Sequence, residues 1–198
     1  MRLVFGLGNP GKEYYKTRHN VGFLVIDYLS EKFKIGVENY SFRSLIGEGK
    51  IKGEEIILCK PLTFVNESGA SLKEVKAYYQ LNLEDIIVVN DDADLPLGRI
   101  RIAKRGGSGG HKGLKSIIQS LETENFPRLR IGIGRPSEKM GLRDYVLEEF
   151  TPLEWEIMEL IIQKVTLAIE TIFTQGLDEA MQEYNRPLQE VKGKCVDA

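Results

Sequence analysis

The stretch Ile86-Ile87-Val88-Val89-Asn90-Asp91-Asp92-Ala93-Asp94-Leu95-Pro96 joins an apolar, β-branched run to a cluster of acids. A short apolar run of this kind is typical of a strand that is buried on both faces of a sheet. Leu3-Val4-Phe5 is a second such run, and it is followed by glycines. Because α/β proteins place their sites where buried strands end, we expect the polar residues after each run to be functional.

Strand-like and helix-like segments alternate along the rest of the chain. Further strands are predicted at Ile56–Leu58, 99–102 and 129–133, and helical spacing follows Val21 and Leu114. Thr151-Pro152-Leu153-Glu154 is a capping box that opens a long helix ending near Gly176. The sequence predicts an α/β fold: a single domain, residues 1–186, with a mixed, mostly parallel central sheet flanked by helices. Residues 187–198 are expected to form a polar, flexible C-terminal tail.

Positive charge is concentrated in one part of a chain whose net charge is -2. Six basic residues and no acid lie between Arg99 and Leu121: Arg99, Arg101, Lys104, Arg105, Lys112 and Lys115. This favours a local site for phosphates over general polyanion binding, although a solvated basic face would give the same pattern. No run approaches the roughly 18 apolar residues of a membrane span. Two cysteines without a disulfide or metal pattern favour a cytoplasmic location.

Gly6-Leu7-Gly8-Asn9-Pro10-Gly11 formally matches the dinucleotide-binding fingerprint. In that fingerprint the helix begins within the glycines, whereas here a polar run delays the helix to about Asn20. We therefore set aside a nucleotide-dependent oxidoreductase. The acids of 90–96 lack the glycine and distal glutamate of a calcium loop, so neither a metal nor a cofactor is predicted.

The chain has two histidines, His19 and His111, and histidine is the side chain best suited to proton transfer near neutral pH. His19 opens a helix within Thr17-Arg18-His19-Asn20. His111 lies in the glycine-rich segment 106–113, whose free amides at a helix start can attract anions. No acid is obviously placed to partner His111, so we interpret it as a structural loop residue.

Six motifs in register along 3–185 resemble the bacterial-type peptidyl-tRNA hydrolase family. They are Gly6-Leu7-Gly8-Asn9-Pro10-Gly11, Thr17-Arg18-His19-Asn20-Val21-Gly22, Thr63-Phe64-Val65-Asn66-Glu67-Ser68-Gly69, Asp91-Asp92-Ala93-Asp94-Leu95-Pro96, Gly109-Gly110-His111-Lys112-Gly113-Leu114 and Arg130-Ile131-Gly132-Ile133-Gly134-Arg135-Pro136. The resemblance implies a monomeric α/β enzyme, a carboxylic ester hydrolase. Its substrate would be peptidyl-tRNA, in which it cleaves the ester between the peptide and the 3′ end, releasing tRNA for reuse.

The resemblance also implies roles for individual residues. His19 corresponds to the catalytic histidine, Asp91 to its partner, and Asn9 and Asn66 to asparagines that line the site. The remaining substrate and tRNA contacts are expected at Tyr14, Val65, Lys112, Lys104, Arg105 and Arg130. Two positions depart from the family: Val65 replaces a methionine in the wall of the peptide channel, and Lys112 replaces an asparagine. Lysine at 112 could contact a phosphate as a point charge.

The chemistry agrees with these roles, because an activated water is sufficient to cleave an ester. We expect His19 to take a proton from water while Asp91 fixes its tautomer. Either Asn9 or Asn66 would donate to the developing oxyanion, and the sequence leaves open which one. The main alternative is a non-catalytic module that binds structured RNA, for which the basic stretch alone would suffice.

Overall fold

The computed structural model describes residues 1–137 and 140–186. The strands are β1 (Arg2–Gly6), β2 (Asn39–Ser41), β3 (Ser44–Ile51), β4 (Glu54–Pro61), β5 (Ile86–Asp92), β6 (Ile100–Ala103) and β7 (Arg128–Gly132). The α-helices are α1 (Val21–Phe33), α2 (Ser68–Tyr78), α3 (Lys112–Leu121), α4 (Leu142–Leu147), α5 (Pro152–Thr174) and α6 (Leu177–Tyr184). Short 3-10 turns at Arg18–Asn20 and Val65–Glu67 precede α1 and α2. The predicted tail, 187–198, lies outside the described residues.

The seven strands form one mixed sheet in the order β2-β3-β4-β1-β5-β7-β6. The central pairs β4–β1, β1–β5 and β5–β7 are parallel, and the outer pairs β2–β3, β3–β4 and β6–β7 are antiparallel. The predicted α/β fold with a mixed sheet is confirmed, and its parallel part is the centre. The carboxyl ends of β4, β1, β5 and β7 therefore meet at one edge.

Alternate residues of the central strands pack on opposite faces of the sheet. In β1, Val4 joins the core formed with α1 and α5, whereas Leu3 and Phe5 join the core formed with α2 and α3. Both cores are apolar, which explains why the central strands are continuous apolar runs instead of alternating ones. None of the described helices is both long and apolar enough to cross a bilayer.

The start of α1 lies directly against the end of β1. A Cβ atom added to Gly22 would lie 2.4 Å from the backbone oxygen of Leu7, and one added to Gly6 would lie 2.4 Å from the oxygen of Gly22. Glycine is needed at both positions because the two backbones approach so closely. This contact fixes His19 and Asn20, which directly precede α1, beside the turn that follows β1.

The capping box predicted for the long helix is present at the start of α5. Thr151 Oγ1 accepts from the Glu154 backbone N–H, and the Glu154 carboxylate accepts from the Thr151 N–H at 2.8 Å. The same carboxylate accepts from Arg18, also at 2.8 Å. The beginning of α5 is thereby attached to the turn that carries His19.

Candidate active site

A cavity of about 740 Å³ opens at the edge where the parallel strands end. All predicted site residues except Lys104 line it: Asn9, Tyr14, His19, Val65, Asn66, Asp91, Arg105, Lys112 and Arg130. They come from the segment between β1 and α1, the turn before α2, the end of β5, strand β7, and the glycine-rich segment with the first residue of α3. The sheet topology thus brings together motifs that are far apart in sequence.

At the centre of the cavity, one carboxylate oxygen lies between two imidazole rings. Asp91 Oδ1 is 2.8 Å from His19 Nδ1 and 2.9 Å from His111 Nε2. The ring centroids are 4.8 Å apart, and the planes are tilted by 43°. Asp91 is buried at the end of β5, and His19 is 8% exposed. The predicted pairing of His19 with Asp91 is therefore present in the structure.

The interpretation of His111 as a loop residue without an acidic partner is wrong, because Asp91 is its partner. His111 Nδ1 accepts from the backbone N–H groups of Gly113 and Leu114, at 3.0 and 3.3 Å, and so caps α3. A ring nitrogen that accepts carries no proton, so Nε2 holds the proton and donates it to Asp91. The side chain has a structural role and also donates to the Asp91 carboxylate.

Burial and neighbouring charges shift the pKa values of His19 and Asp91 in opposite directions. Burial would lower the pKa of His19, but the charge of Asp91 and its hydrogen bond raise that pKa above the usual 6.5, and Lys112 partly opposes them. Burial would raise the pKa of Asp91, but the two imidazoles hold it well below its ordinary range. Asp91 is consequently an anion near neutral pH, and His19 is a base strengthened by that anion.

The asparagine after β1 is held in one orientation. Asn9 Oδ1 accepts from the Val65 backbone N–H at 2.9 Å, which leaves the amide nitrogen Nδ2 as a donor. The Asn9 backbone makes two hydrogen bonds with the Asn20 side chain, each 2.9 Å long. Asn66 is exposed at the cavity wall and does not cap α2, since α2 has no side-chain cap. Only Asn9 has its side chain fixed by these contacts.

Three potential metal ligands, one each from His19, Asp91 and His111, lie within 4.8 Å of one another. Ligands of a zinc ion surround the ion at about 2.0–2.2 Å. Here both imidazoles instead point at a single carboxylate oxygen at hydrogen-bond distance. The arrangement is that of a hydrogen-bonded triad.

Basic side chains form one wall of the cavity. Arg105 and Lys112 are exposed there, and Arg130 is held by Asp92. Two arginines outside the predicted site, Arg135 and Arg143, also line the cavity. Lys104 lies outside it, with Nζ 2.6 Å from Asp178 Oδ1 on α6.

Two buried arginines support the site and were missed by sequence reasoning. Arg18 donates to the Glu149 carbonyl at 2.9 Å and lies 4.2 Å from the ring centre of Tyr145. Arg128 donates to the Gly107 carbonyl at 2.9 Å, which anchors the glycine-rich segment. Arginine is rarely buried, so its sequence pattern favours a surface position and gives no signal of this role.

A sequence profile of the family described as peptidyl-tRNA hydrolase matches residues 3–193. The chain belongs to the peptidyl-tRNA hydrolase family. A peptidyl-tRNA hydrolase from Carboxydothermus hydrogenoformans is 47% identical over 186 residues, which cover 94% of this chain and 99% of the relative. One from Thermoanaerobacter sp. strain X514 is 48% identical over 93% of this chain and its own full length. These matches confirm the resemblance seen in the motifs.

Solved structures of the family have the same fold. The crystal structure of peptidyl-tRNA hydrolase from Acinetobacter baumannii superimposes with a TM-score of 0.88 at 36% identity, covering 93% of this chain and 94% of that one. As a member of the family, the chain is a hydrolase that cleaves the ester bond of peptidyl-tRNA.

Proposed function

We propose that His19 is the general base of this hydrolysis and that Asp91 positions it. The hydrogen bond from His19 Nδ1 to Asp91 Oδ1 is the observation that supports this assignment. With the proton on Nδ1, the other ring nitrogen, Nε2, is free to accept a proton from water. Asp91 then stabilises the imidazolium that forms.

The proposed reaction has two steps. Water attacks the carbonyl carbon of the ester as His19 Nε2 takes its proton, which gives a tetrahedral oxyanion. The oxyanion collapses, the bond to the ribose oxygen breaks, and the imidazolium returns the proton to that oxygen. The products are a tRNA with an intact 3′ hydroxyl and a peptide carboxylic acid, which loses its proton to the solvent at neutral pH.

We assign oxyanion stabilisation to Asn9. Its Oδ1 is occupied by the Val65 N–H, so the side chain presents Nδ2 as a preorganised donor. Asn66 is exposed at the same wall, which suits contact with the backbone of the bound peptide. Asn9→Asp should lower kcat by about 10²–10³-fold, the range for loss of one such donor. Asn66→Asp should mainly raise KM. If Asn66→Asp instead lowered kcat and Asn9→Asp raised KM, the two roles would be reversed.

The basic wall is proposed to hold the phosphates of the tRNA. Arg105, Lys112 and Arg130 line the cavity, and Lys104 lies beside it within an exposed ion pair. Tyr14 and Val65 would contact the bound 3′ end and peptide. Arg105→Glu should raise KM and flatten its dependence on salt, because fewer counterions are released on binding. An unchanged salt slope would remove Arg105 from the tRNA contact.

His19→Ala provides the test of the base. We expect wild type to cleave a tRNA that carries an N-acetylated aminoacyl group, and the variant to lose this activity while keeping its affinity for the tRNA. A variant with retained turnover would contradict the assignment. If wild type bound tRNA tightly but cleaved nothing, the alternative of a non-catalytic RNA-binding module would replace the enzyme.

We further propose that the enzyme acts as a monomer in the cytoplasm. The two histidines, Asp91 and Asn9 converge on one cavity within a single chain, which supports this proposal. Peptidyl-tRNA arises at the ribosome, which places the substrate in that compartment. Sedimentation of the purified protein, with kcat compared across protein concentrations, tests the oligomeric state.

A further inference from the structure

An exposed aromatic cluster lies at the turn between β2 and β3. The ring centre of Phe42 is 4.8 Å from that of Tyr78 and 6.2 Å from that of Tyr79, and the two tyrosines are 4.9 Å apart. Phe42 and Tyr79 are partly buried against the core beneath, but Tyr78 is 66% exposed. The cluster is thus an anchored surface that still presents apolar area to a ligand.

The backbone at this turn is unfavourable for the residues it contains. Phe42 and Arg43 occupy both central positions of the β2–β3 turn with φ of 53° and 57°. Such two-residue turns normally use Asn-Gly, because a side chain with a Cβ is strained at positive φ. Backbone strain clusters at functional sites, which makes Phe42 and Arg43 candidates for a function.

The turn is joined by a backbone hydrogen bond to the segment that leads into the active-site cavity. The register of Ser44 with Pro61 places the turn at the carboxyl end of β4, on the same edge of the sheet as the cavity. The Leu62 N–H donates to the Arg43 carbonyl at 2.7 Å. Two residues further along, Phe64 is 56% exposed and lines the cavity. Phe64 therefore lies between the cavity and the turn along the chain.

The charged side chain of the turn itself is neutralised by a neighbour. Arg43 lies 3.1 Å from Glu74 of α2, and the Tyr79 hydroxyl donates to Glu48 of β3. A phosphate chain would gain little from such a surface. A largely uncharged chain with apolar side chains would bury its surface against the rings.

We propose that the surface formed by Phe64, Phe42 and Tyr78 binds the peptide part of the substrate beyond its first residues. This inference rests on the proposed active site, which fixes where the peptide begins. Phe64 at the cavity is two residues from Leu62, which contacts the turn, so at most about 7 Å of extended chain separates Phe64 from the turn. An extended peptide advances about 3.3 Å per residue, so about two or three residues beyond Phe64 reach the cluster. The surface acts on longer peptides only and prefers aromatic side chains.

The test compares two substrates built on the same tRNA. One carries N-acetylphenylalanine, and the other an N-acetylated, phenylalanine-containing peptide of about eight residues, long enough to reach the cluster. The variants are Phe42→Asn and Tyr78→Ser. Asparagine tolerates positive φ, so Phe42→Asn keeps the turn while removing the ring. The matched control is Leu160→Ser, which changes an apolar side chain of α5 that is 67% exposed.

We expect each variant to raise KM for the long substrate by about fivefold to tenfold, the effect of losing one aromatic contact. Values of kcat, and KM for the short substrate, should stay at the levels of wild type and the control. An unchanged KM for the long substrate would overturn the proposal. An equal rise for both substrates, with weaker inhibition by free tRNA, would also overturn it and assign the surface to RNA. If wild type cleaved neither substrate, the proposed active site would fail instead.

Discussion

Replacing Asp91 by Asn removes the charge on which the proposed base depends. The Asp91 side chain is 4% exposed and accepts hydrogen bonds from both histidines at 2.8 and 2.9 Å. Asparagine has almost the same shape, so the variant tests the charge and the acceptor with little change in packing. Its amide can also donate to His19, which would move the ring proton to Nε2 and block the base.

The expected loss follows from the interaction between the carboxylate and the imidazolium. Two unit charges about 4 Å apart interact by about 4 kcal/mol at an effective dielectric constant of about 20. Each 1.36 kcal/mol of lost transition-state stabilisation lowers the rate about tenfold. We therefore expect kcat to fall by about 10²–10³-fold in Asp91→Asn. Without the carboxylate, burial and Lys112 lower the pKa of His19. The acid limb of the pH–rate profile therefore moves to lower pH.

The fall in rate and the shift of the acid limb are both measured by single-turnover hydrolysis of an N-acetylaminoacyl-tRNA between about pH 5 and pH 9. Asp27→Asn is the control, since Asp27 pairs with Lys60 outside the cavity and should leave the profile unchanged. A rate within about threefold of wild type at every pH, with the acid limb unmoved, would refute the reasoning. Asp91 would then have no electrostatic effect on His19.

Variants at three further positions, with Gly36→Ala as a control, test the surroundings of the base. Lys112→Gln removes a cation that lowers the pKa of His19, so the acid limb should move to higher pH; an unmoved limb would exclude this effect. Gly22→Ala places a methyl group 2.4 Å from a backbone oxygen. We expect the free energy of unfolding, measured with denaturant, to fall by about 1–3 kcal/mol, and kcat to fall as well. Gly36→Ala, with no atom within 4 Å, should leave both unchanged. His111→Asn keeps a cap on α3, so its free energy of unfolding should exceed that of His111→Ala by about 1 kcal/mol; equal values would argue against the cap.

The sequence was sufficient to predict the central strands and the long helix. Residues of 86–89 are buried on both faces of the sheet, which produces a continuous apolar run that can be recognised without partners. The capping box at Thr151 is a local pattern and is likewise visible in the sequence. The β2–β3 hairpin escaped prediction because β2 has three residues, none of them buried, and its turn lacks the usual Asn-Gly signal.

Contacts between distant residues were beyond the sequence. His111 follows Asp91 by 20 residues, and only the crossing from β5 through β6 to α3 brings them to 2.9 Å. Arg18 is held by carbonyls more than 120 residues away, near the start of α5. The motifs identified which residues belong to the site, whereas the hydrogen bonds that orient them depend on the assembled fold.

Two surfaces at the cavity, one basic and one aromatic, differ in charge. The two halves of the substrate, an anionic tRNA and a largely uncharged peptide, differ in the same property. The wall built from the glycine-rich segment and β7 presents Arg105, Lys112 and Arg130, which suit phosphates. Phe64 at the cavity, and the turn at Phe42 beyond it, present aromatic side chains. The ester is the one bond that joins an anionic chain to a largely uncharged one, so a substrate held by both surfaces has that bond at the junction between them. In the proposed arrangement the site accepts many peptides and many tRNAs, because it holds the junction of the two polymers. The aromatic surface adds a preference for aromatic side chains in longer peptides.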